Sequence, residues 1–208
     1  TEHPDITNAS RRIKSKEVNK CTENGVEDIT EIKVGYDGIA LANSKSGPSL
    51  KLSLKEVYLA LAKVVPADPE GETVKPNPYK MWNEINPSLP AKPIVVIGPP
   101  PTSGTRDAFN ELAIERGCKK FPERKELKKA NKKLYKAECR GIREDGAYVE
   151  AGENDNLIIE KLVANPDAIG VFGYSFLNQN RDKVKPAEID GVLPKFEDIS
   201  SGKYPVSR

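Results

Sequence analysis

A chain of 208 residues with 33 Lys and Arg against 31 Asp and Glu has a formal net charge of only +2, so no global electrostatic commitment to nucleic acid is indicated. The length is enough to bury a sizeable core, in one large domain or two small ones. No run of eighteen apolar residues occurs, and Thr1 opens neither a signal peptide nor an anchor, the pattern expected of a soluble chain or of the mature part of a processed one.

In chain order, residues 34–42 read as a strand bent or closely crossed at Gly35 and Gly38. Ser53 and Glu56 form a capping box ahead of Leu54, Val57, Tyr58, Leu61 and Val65, which share one helical face until Pro66 stops the helix. Residues 66–80, rich in proline and charge, are expected as loop, and Met81, Trp82 and Ile85 as a short helix in which Trp82 is structural. The apolar residues 94–97 predict a strand, and Pro99, Pro100 and Pro101 hold the loop after it in an extended, low-entropy form.

Residues 102–109, Thr-Ser-Gly-Thr-Arg-Asp-Ala-Phe, carry the sharpest chemical signal. Ser103 and Thr105 offer hydroxyls, Gly104 allows close backbone approach, and Arg106 adds a fixed positive charge. Phe109, Leu112 and Ala113 then fall on one helical face, Asp107 suits a first turn and Gly117 a stop, so the helix would present free amides to an anion in the loop. A Ser-Gly-Thr turn also serves as a plain helix cap, and both readings stand at this point.

Residues 119–140 hold ten basic residues against three acidic ones, with Leu127, Ala130, Leu134 and Ala137 at helical spacing. An amphipathic helix with a solvated lysine face is the simplest account, since Phe121 and Tyr135 are the only aromatics available to a nucleic acid. Asn154 is placed to cap a helix carrying Ile158, Ile159, Leu162 and Val163, and residues 169–172 read as a buried strand. Strands alternating with helices predict an α/β architecture with a largely parallel sheet. No Rossmann or P-loop fingerprint occurs.

Of three cysteines, Cys118 and Cys139 could bridge to staple one surface excursion, stabilising by about 3 kcal/mol in an oxidising compartment. Cys21 is then a buried thiol, an intermolecular link, or half of a pair with a partner elsewhere. A single histidine, His3, expected as a solvated tail residue, and no close cysteine pair argue against a metal. No nucleophile pairs with His3 and no acid–base dyad stands out, so the chain is expected not to be an enzyme and to need no cofactor.

Five segments together resemble the phosphate-binding receptor of the Pst-type ABC transporter, a periplasmic solute-binding family. They are PDITNASRRIK at 4–14, VGYDGIALANSKSG at 34–47, GPPPTSGTRDAFNELA at 98–113, AIGVFGYSF at 168–176 and IDGVLPKFEDISSGKYPVSR at 189–208. The resemblance implies a two-lobed fold in which a dehydrated phosphate is held in a cleft by hydrogen bonds and no metal. By position, Ser103, Gly104 and Thr105 would donate from the second lobe, Asp5 would be the lone acidic contact, and Ser10 would stand beside it. Asp5 would accept the proton of hydrogen phosphate and meet fully ionised sulfate with repulsion alone, which would set selectivity. Without the resemblance, Asp5 reads as an exposed residue near a terminus.

The sequence also departs from the family. Where some members place a binding arginine, four residues before the loop serine, this chain has Pro99, and Arg106 is the substitute; its alternative is a salt bridge to Asp107 or Glu111. The family's opening Gly-Ser-Ser-Thr loop and a second serine loop have no counterpart, and the usual last strand is also lacking. The expectation is therefore a nearly complete second lobe at 43–176, with a partial first lobe and first crossing at 1–42 and a return crossing with partial first lobe at 177–208. The implied partners are inorganic phosphate and an inner-membrane ABC permease, with no nucleic acid, a periplasmic location, and self-association through the incomplete first lobe. The alternative is a truncated, receptor-derived interaction protein that binds phosphate weakly or not at all.

Overall fold

The structure, a computed structural model, describes residues 6, 7, 9, 12–152 and 154–208. It opens with α1 (Ser15–Glu23), β1 (Ile39–Ser44), β2 (Lys51–Leu52), α2 (Leu54–Leu61), β3 (Val64–Pro66), β4 (Val74–Pro76), α3 (Trp82–Ile85) and β5 (Val96–Gly98). Helix α4 (Gly104–Phe109) then runs through a π-helical turn (Asn110–Ile114) into α5 (Glu115–Cys118), followed by α6 (Pro122–Ala130) and α7 (Lys132–Arg140). The rest is β6 (Tyr148–Glu150), α8 (Asp155–Ala164), β7 (Ile169–Gly173), α9 (Tyr174–Gln179), β8 (Val184–Pro186), β9 (Glu188–Ile189) and α10 (Phe196–Ser200).

The main sheet has the order β6-β5-β7-β1-β8. Strands β6, β5 and β7 are parallel, and β1 runs antiparallel to both β7 and β8. Four strands therefore share one direction and β1 alone opposes them. This is the parallel sheet expected from the alternation of strands and helices, with one antiparallel strand inserted.

Alternation along the strands assigns the two faces. Ile39, Leu41, Val96, Ile169 and Val171 meet α2 and the helix that begins at the anion-loop sequence, through Val57, Tyr58, Leu61, Phe109 and Leu112. Ala40, Ala42, Ile97 and Phe172 meet α8 and α9 through Ile158, Ile159, Leu162 and Leu177. Each fully buried Val, Leu, Ile or Phe side chain among these contributes roughly 1.5–3 kcal/mol. The class is thus α/β with helices on both faces, and among the described residues no helix is long and apolar enough to cross a membrane.

Several local expectations hold. Ser53 Oγ accepts from Glu56 N at 3.2 Å while Glu56 Oε2 accepts from Ser53 N at 2.6 Å, the reciprocal capping box. Asn154 Oδ1 accepts from Asn156 N at 3.0 Å and starts α8. Trp82 is buried in the core.

Others are corrected. Helix α2 stops at Leu61 rather than at Pro66, because Ala62 is already extended and the β-branched pair Val64–Val65 hydrogen-bonds to β4 inside the segment expected as loop. Gly117 does not end its helix: a Cβ there would sit 2.1 Å from the carbonyl oxygen of Leu54 and 2.6 Å from Tyr58 Cβ. It is the point where α5 touches the backbone of α2. The strand expected from residue 34 begins at Ile39, after Asp37 and Arg208 exchange both backbone hydrogen bonds at 2.9 Å.

The single lysine-faced helix expected at 119–140 is two helices. Asn131 leaves helical geometry and its side chain accepts from Leu134 N, restarting the helix as α7. In α6 Arg124 is buried and Leu127 packs against the core as expected, whereas after the restart Tyr135 and Cys139 turn inward and Leu134 is exposed. Cys139 is bonded to Cys118, with their Cα atoms 5.5 Å apart, and Cys21 is a free thiol. Beside this staple, buried Glu115 receives Lys128 at 2.9 Å, Lys119 at 3.1 Å, the Tyr135 hydroxyl at 3.3 Å, and the Arg140 guanidinium.

Among the described residues, 12–37 bury no side chain, and Ile32 and Val34 are 77% and 95% exposed. The His3, Asp5 and Ser10 expectations lie outside the described residues.

Candidate functional site

The anion-loop sequence lies between β5 and α4. Ser103 N donates to Pro100 O at 3.0 Å, closing a turn inside the proline run. Ser103 is extended, at φ −78 and ψ 135, and its Oγ accepts from Thr105 N at 3.2 Å, so it is the N-cap of α4. Capping uses a lone pair and leaves the hydroxyl proton available to a ligand, so the two readings of this serine are compatible. Nothing lies within 4 Å of where a Gly104 Cβ would stand, which leaves that side of the turn open. Ser103 and Thr105 are half-buried and Gly104 is exposed.

Arg106 takes a different position from the one its neighbours suggest. It is 7% exposed, its Nη1 donates to Pro99 O at 3.1 Å, and its guanidinium carbon lies 4.0 Å from the Tyr148 ring centre. Neither Asp107 nor Glu111 pairs with it among the described residues; Glu111 instead stands 3.9 Å from Arg208. Its Nε is buried with no hydrogen-bond partner among the described residues. A buried donor left unpaired is costly, which makes this edge of the guanidinium receptive to an acceptor.

Arg106 lines a cleft of about 380 Å³ with Pro101, Arg143, Glu144, Tyr148 and Glu150. Two of these are already occupied structurally. Arg143 donates to Asp145 Oδ1 at 2.7 Å, to Tyr79 O at 2.7 Å and to Ala60 O at 3.2 Å, and its hydrogen bonding to Asp145, helped by Lys80 and by its own charge, holds the Asp145 carboxyl well below the usual carboxylate range. Tyr148 donates to Pro99 O at 2.9 Å. Burial pushes its hydroxyl up to about 12, with Arg106 opposing the rise, so it remains a donor at neutral pH.

Sequence reasoning missed Tyr148. Its place depends on β6 lying beside β5, with Tyr148 opposite Val96 and Glu150 opposite Gly98. A Cβ on Gly98 would come within 2.2 Å of the Tyr148 hydroxyl, so the glycine ahead of the three prolines was the available signal. Among the described residues, no group of three or more His, Cys, Asp and Glu side chains converges as a metal site.

Related sequences and a similar fold occur in known proteins. The chain is 30% identical over 210 residues to Protein SphX of Synechococcus elongatus, covering 98% of this chain and 51% of that protein. It is 27% identical over 213 residues to the phosphate-binding protein PstS of Staphylococcus saprophyticus, covering 98% and 52%. The chain thus spans about half the length of these curated relatives. Among solved structures it is similar to one described as a possible phosphate binding protein from Planctomyces limnophilus, with a TM-score of 0.64 at 25% identity over 96% of this chain and 60% of that one. The fold also matches a putative phosphate ABC transporter substrate-binding protein with bound phosphate from Clostridium perfringens, at TM-score 0.56 and 24% identity over 96% and 61%. Residues 1–208 match the family described as PBP superfamily domain, and the chain belongs to it.

Proposed function

We propose that this chain binds inorganic phosphate as part of a two-lobed periplasmic receptor that delivers the anion to an inner-membrane ABC permease. Lobe closure, rather than bond-making chemistry, is the working step. The observation that carries this reading is the junction at the start of α4: a capping serine with a hydroxyl proton to give, an open glycine, and a buried arginine with an unpaired Nε. A small oxyanion offers acceptors to all three. The names of the relatives, phosphate-binding proteins among them, support the same ligand.

In this reading Ser103, Gly104, Thr105 and Arg106 contact phosphate from the second lobe, residues 43–176. Asp5 and Ser10 approach from the first lobe, which takes in residues 1–42 and 177–208. The test is isothermal titration with phosphate, and with sulfate as control, on protein freed of endogenous anion by unfolding and refolding. Phosphate-selective heat supports the reading, and its absence from well-folded protein rejects it.

A second reading, an interaction protein with little or no phosphate affinity, is favoured by one observation: the unburied segment 12–37 with its exposed Val26, Ile32, Val34 and Tyr36. Apolar groups exposed in one continuous segment favour association with another surface. Sedimentation of the anion-free protein separates the two readings, since concentration-dependent association without phosphate heat supports only the second.

A further inference from the structure

We propose that Tyr148 is a positioning residue for the anion loop, fixing Pro99 and Arg106 in a single arrangement; the proposal deepens the phosphate reading and rests on it. Two donors, the Tyr148 hydroxyl at 2.9 Å and Arg106 Nη1 at 3.1 Å, converge on the one carbonyl oxygen of Pro99. A carbonyl has two lone pairs, and these two bonds use both. Pro99 opens the stiff run that leads to Ser103, so anchoring its carbonyl anchors the start of the loop.

The same tyrosine acts on Arg106 a second way. Its ring lies 4.0 Å from the guanidinium carbon, which fixes the plane of the group, while the bond to Pro99 fixes its rotation within that plane. The unpaired Nε edge is thereby held in one direction before any ligand arrives, and binding is relieved of that ordering cost. Gly98 is part of the device, because a Cβ there would meet the Tyr148 hydroxyl at 2.2 Å and its ring carbon Cζ at 2.9 Å. Tyr148 donates to the protein rather than to the ligand, so its effect is exerted through its neighbours.

The experiment compares Tyr148→Phe, which keeps the ring and loses the hydroxyl bond, with Tyr148→Leu, which loses both, each alone and with Arg106→Ala in the full chain. Inorganic phosphate titration should show affinity falling roughly two- to tenfold in Tyr148→Phe, the range of one lost hydrogen bond, and further in Tyr148→Leu. With Arg106→Ala already present, the tyrosine substitutions should cost less, since one of the two groups they position is gone and only the anchor on Pro99 remains to be lost. In ¹⁵N relaxation measurements without ligand, the Arg106 Nε–H bond should be rigid in the unaltered protein and in Tyr148→Phe, and markedly more mobile in Tyr148→Leu, where the ring that orients the guanidinium is gone.

Additive losses in the two backgrounds, or an Arg106 Nε–H bond as rigid in Tyr148→Leu as in the unaltered protein, overturn the proposal. If Tyr148→Leu does not fold, the Tyr148→Phe and Arg106→Ala cycle decides. If the unaltered protein gives no phosphate heat, the phosphate reading fails, and the mobility of the Arg106 Nε–H bond alone decides whether Tyr148 positions Arg106.

Discussion

The carboxylate of Asp190 accepts a hydrogen bond from the backbone N–H of Leu54 at 3.0 Å, across 136 positions of sequence. Leu54 is the first residue of α2, and its N–H is one that a helix start leaves without a partner; the Ser53–Glu56 box satisfies others. The contact requires Asp190 to adopt a backbone φ of 45, followed by Gly191 at φ 81, in the tight turn that closes Ile189 on Val192. Asp190→Ala should therefore destabilise the protein by about 1–2 kcal/mol, through the lost cap and a left-handed alanine. Asp190→Asn should lose less than half of that, because its side chain still accepts and tolerates the conformation. Urea unfolding of the three proteins checks the order; equal stability of the alanine and asparagine variants contradicts it.

The disulfide between Cys118 and Cys139, separated by 21 residues, closes α6 and α7 into a loop. Closing such a loop restricts the unfolded chain by about 3 kcal/mol in the chain-entropy picture. Reduction should lower the denaturation midpoint by a corresponding amount, and thiol titration of the unreduced, unfolded protein should find one free group, Cys21. Three titratable thiols would show that the bridge does not form.

Glu115 predicts a pH dependence. Burial alone would raise its carboxyl, but the hydrogen bonds from Lys128, Lys119 and Arg140 outweigh burial and hold it at about 2, against an ordinary 4.5. Because the folded value lies below the unfolded one, the stabilisation is complete above about pH 5 and disappears as pH falls toward 2. The difference corresponds to about 3 kcal/mol. Glu115→Gln should be less stable than the unaltered protein by about that amount at pH 7, with the gap closing on acidification. A gap that stays constant between pH 7 and pH 2.5 refutes the assignment.

The features legible in the sequence were local. The box at Ser53 and Glu56 and the cap at Asn154 depend on spacings of two or three residues, and both form as expected. The start of α4 at Ser103 was legible for the same reason. The break at Asn131 was not, because an asparagine among lysines reads equally well as part of a polar face until its side chain takes the Leu134 N–H. Gly117 was misread because a glycine that ends a helix and one that admits a neighbouring backbone look alike in one dimension. Tyr148 and Asp190 act through pairings between remote segments, which periodicity does not encode. Arg106 stood out in the sequence as a charge beside the loop, but its partners, Pro99 O and the Tyr148 ring, were hidden for the same reason.

In the phosphate reading, Arg106 and Asp5 respond to different properties of the anion. If Arg106 supplies a charge-assisted bond through its unpaired Nε edge, Arg106→Ala should weaken phosphate binding by about 1.5–3 kcal/mol, roughly ten- to a hundredfold. Sulfate should weaken in parallel, because the guanidinium does not distinguish a protonated oxyanion from an ionised one. Asp5→Asn should behave differently. An amide can still meet the phosphate but no longer repels sulfate, so selectivity should fall through a gain in sulfate binding as well as a loss of phosphate. Titrations of both anions on both variants separate charge attraction from proton recognition: a uniform loss belongs to Arg106, a changed ratio to Asp5. Unchanged affinity and ratio in both variants would reject the site, since no other pair of proposed contacts divides the two tasks in this way.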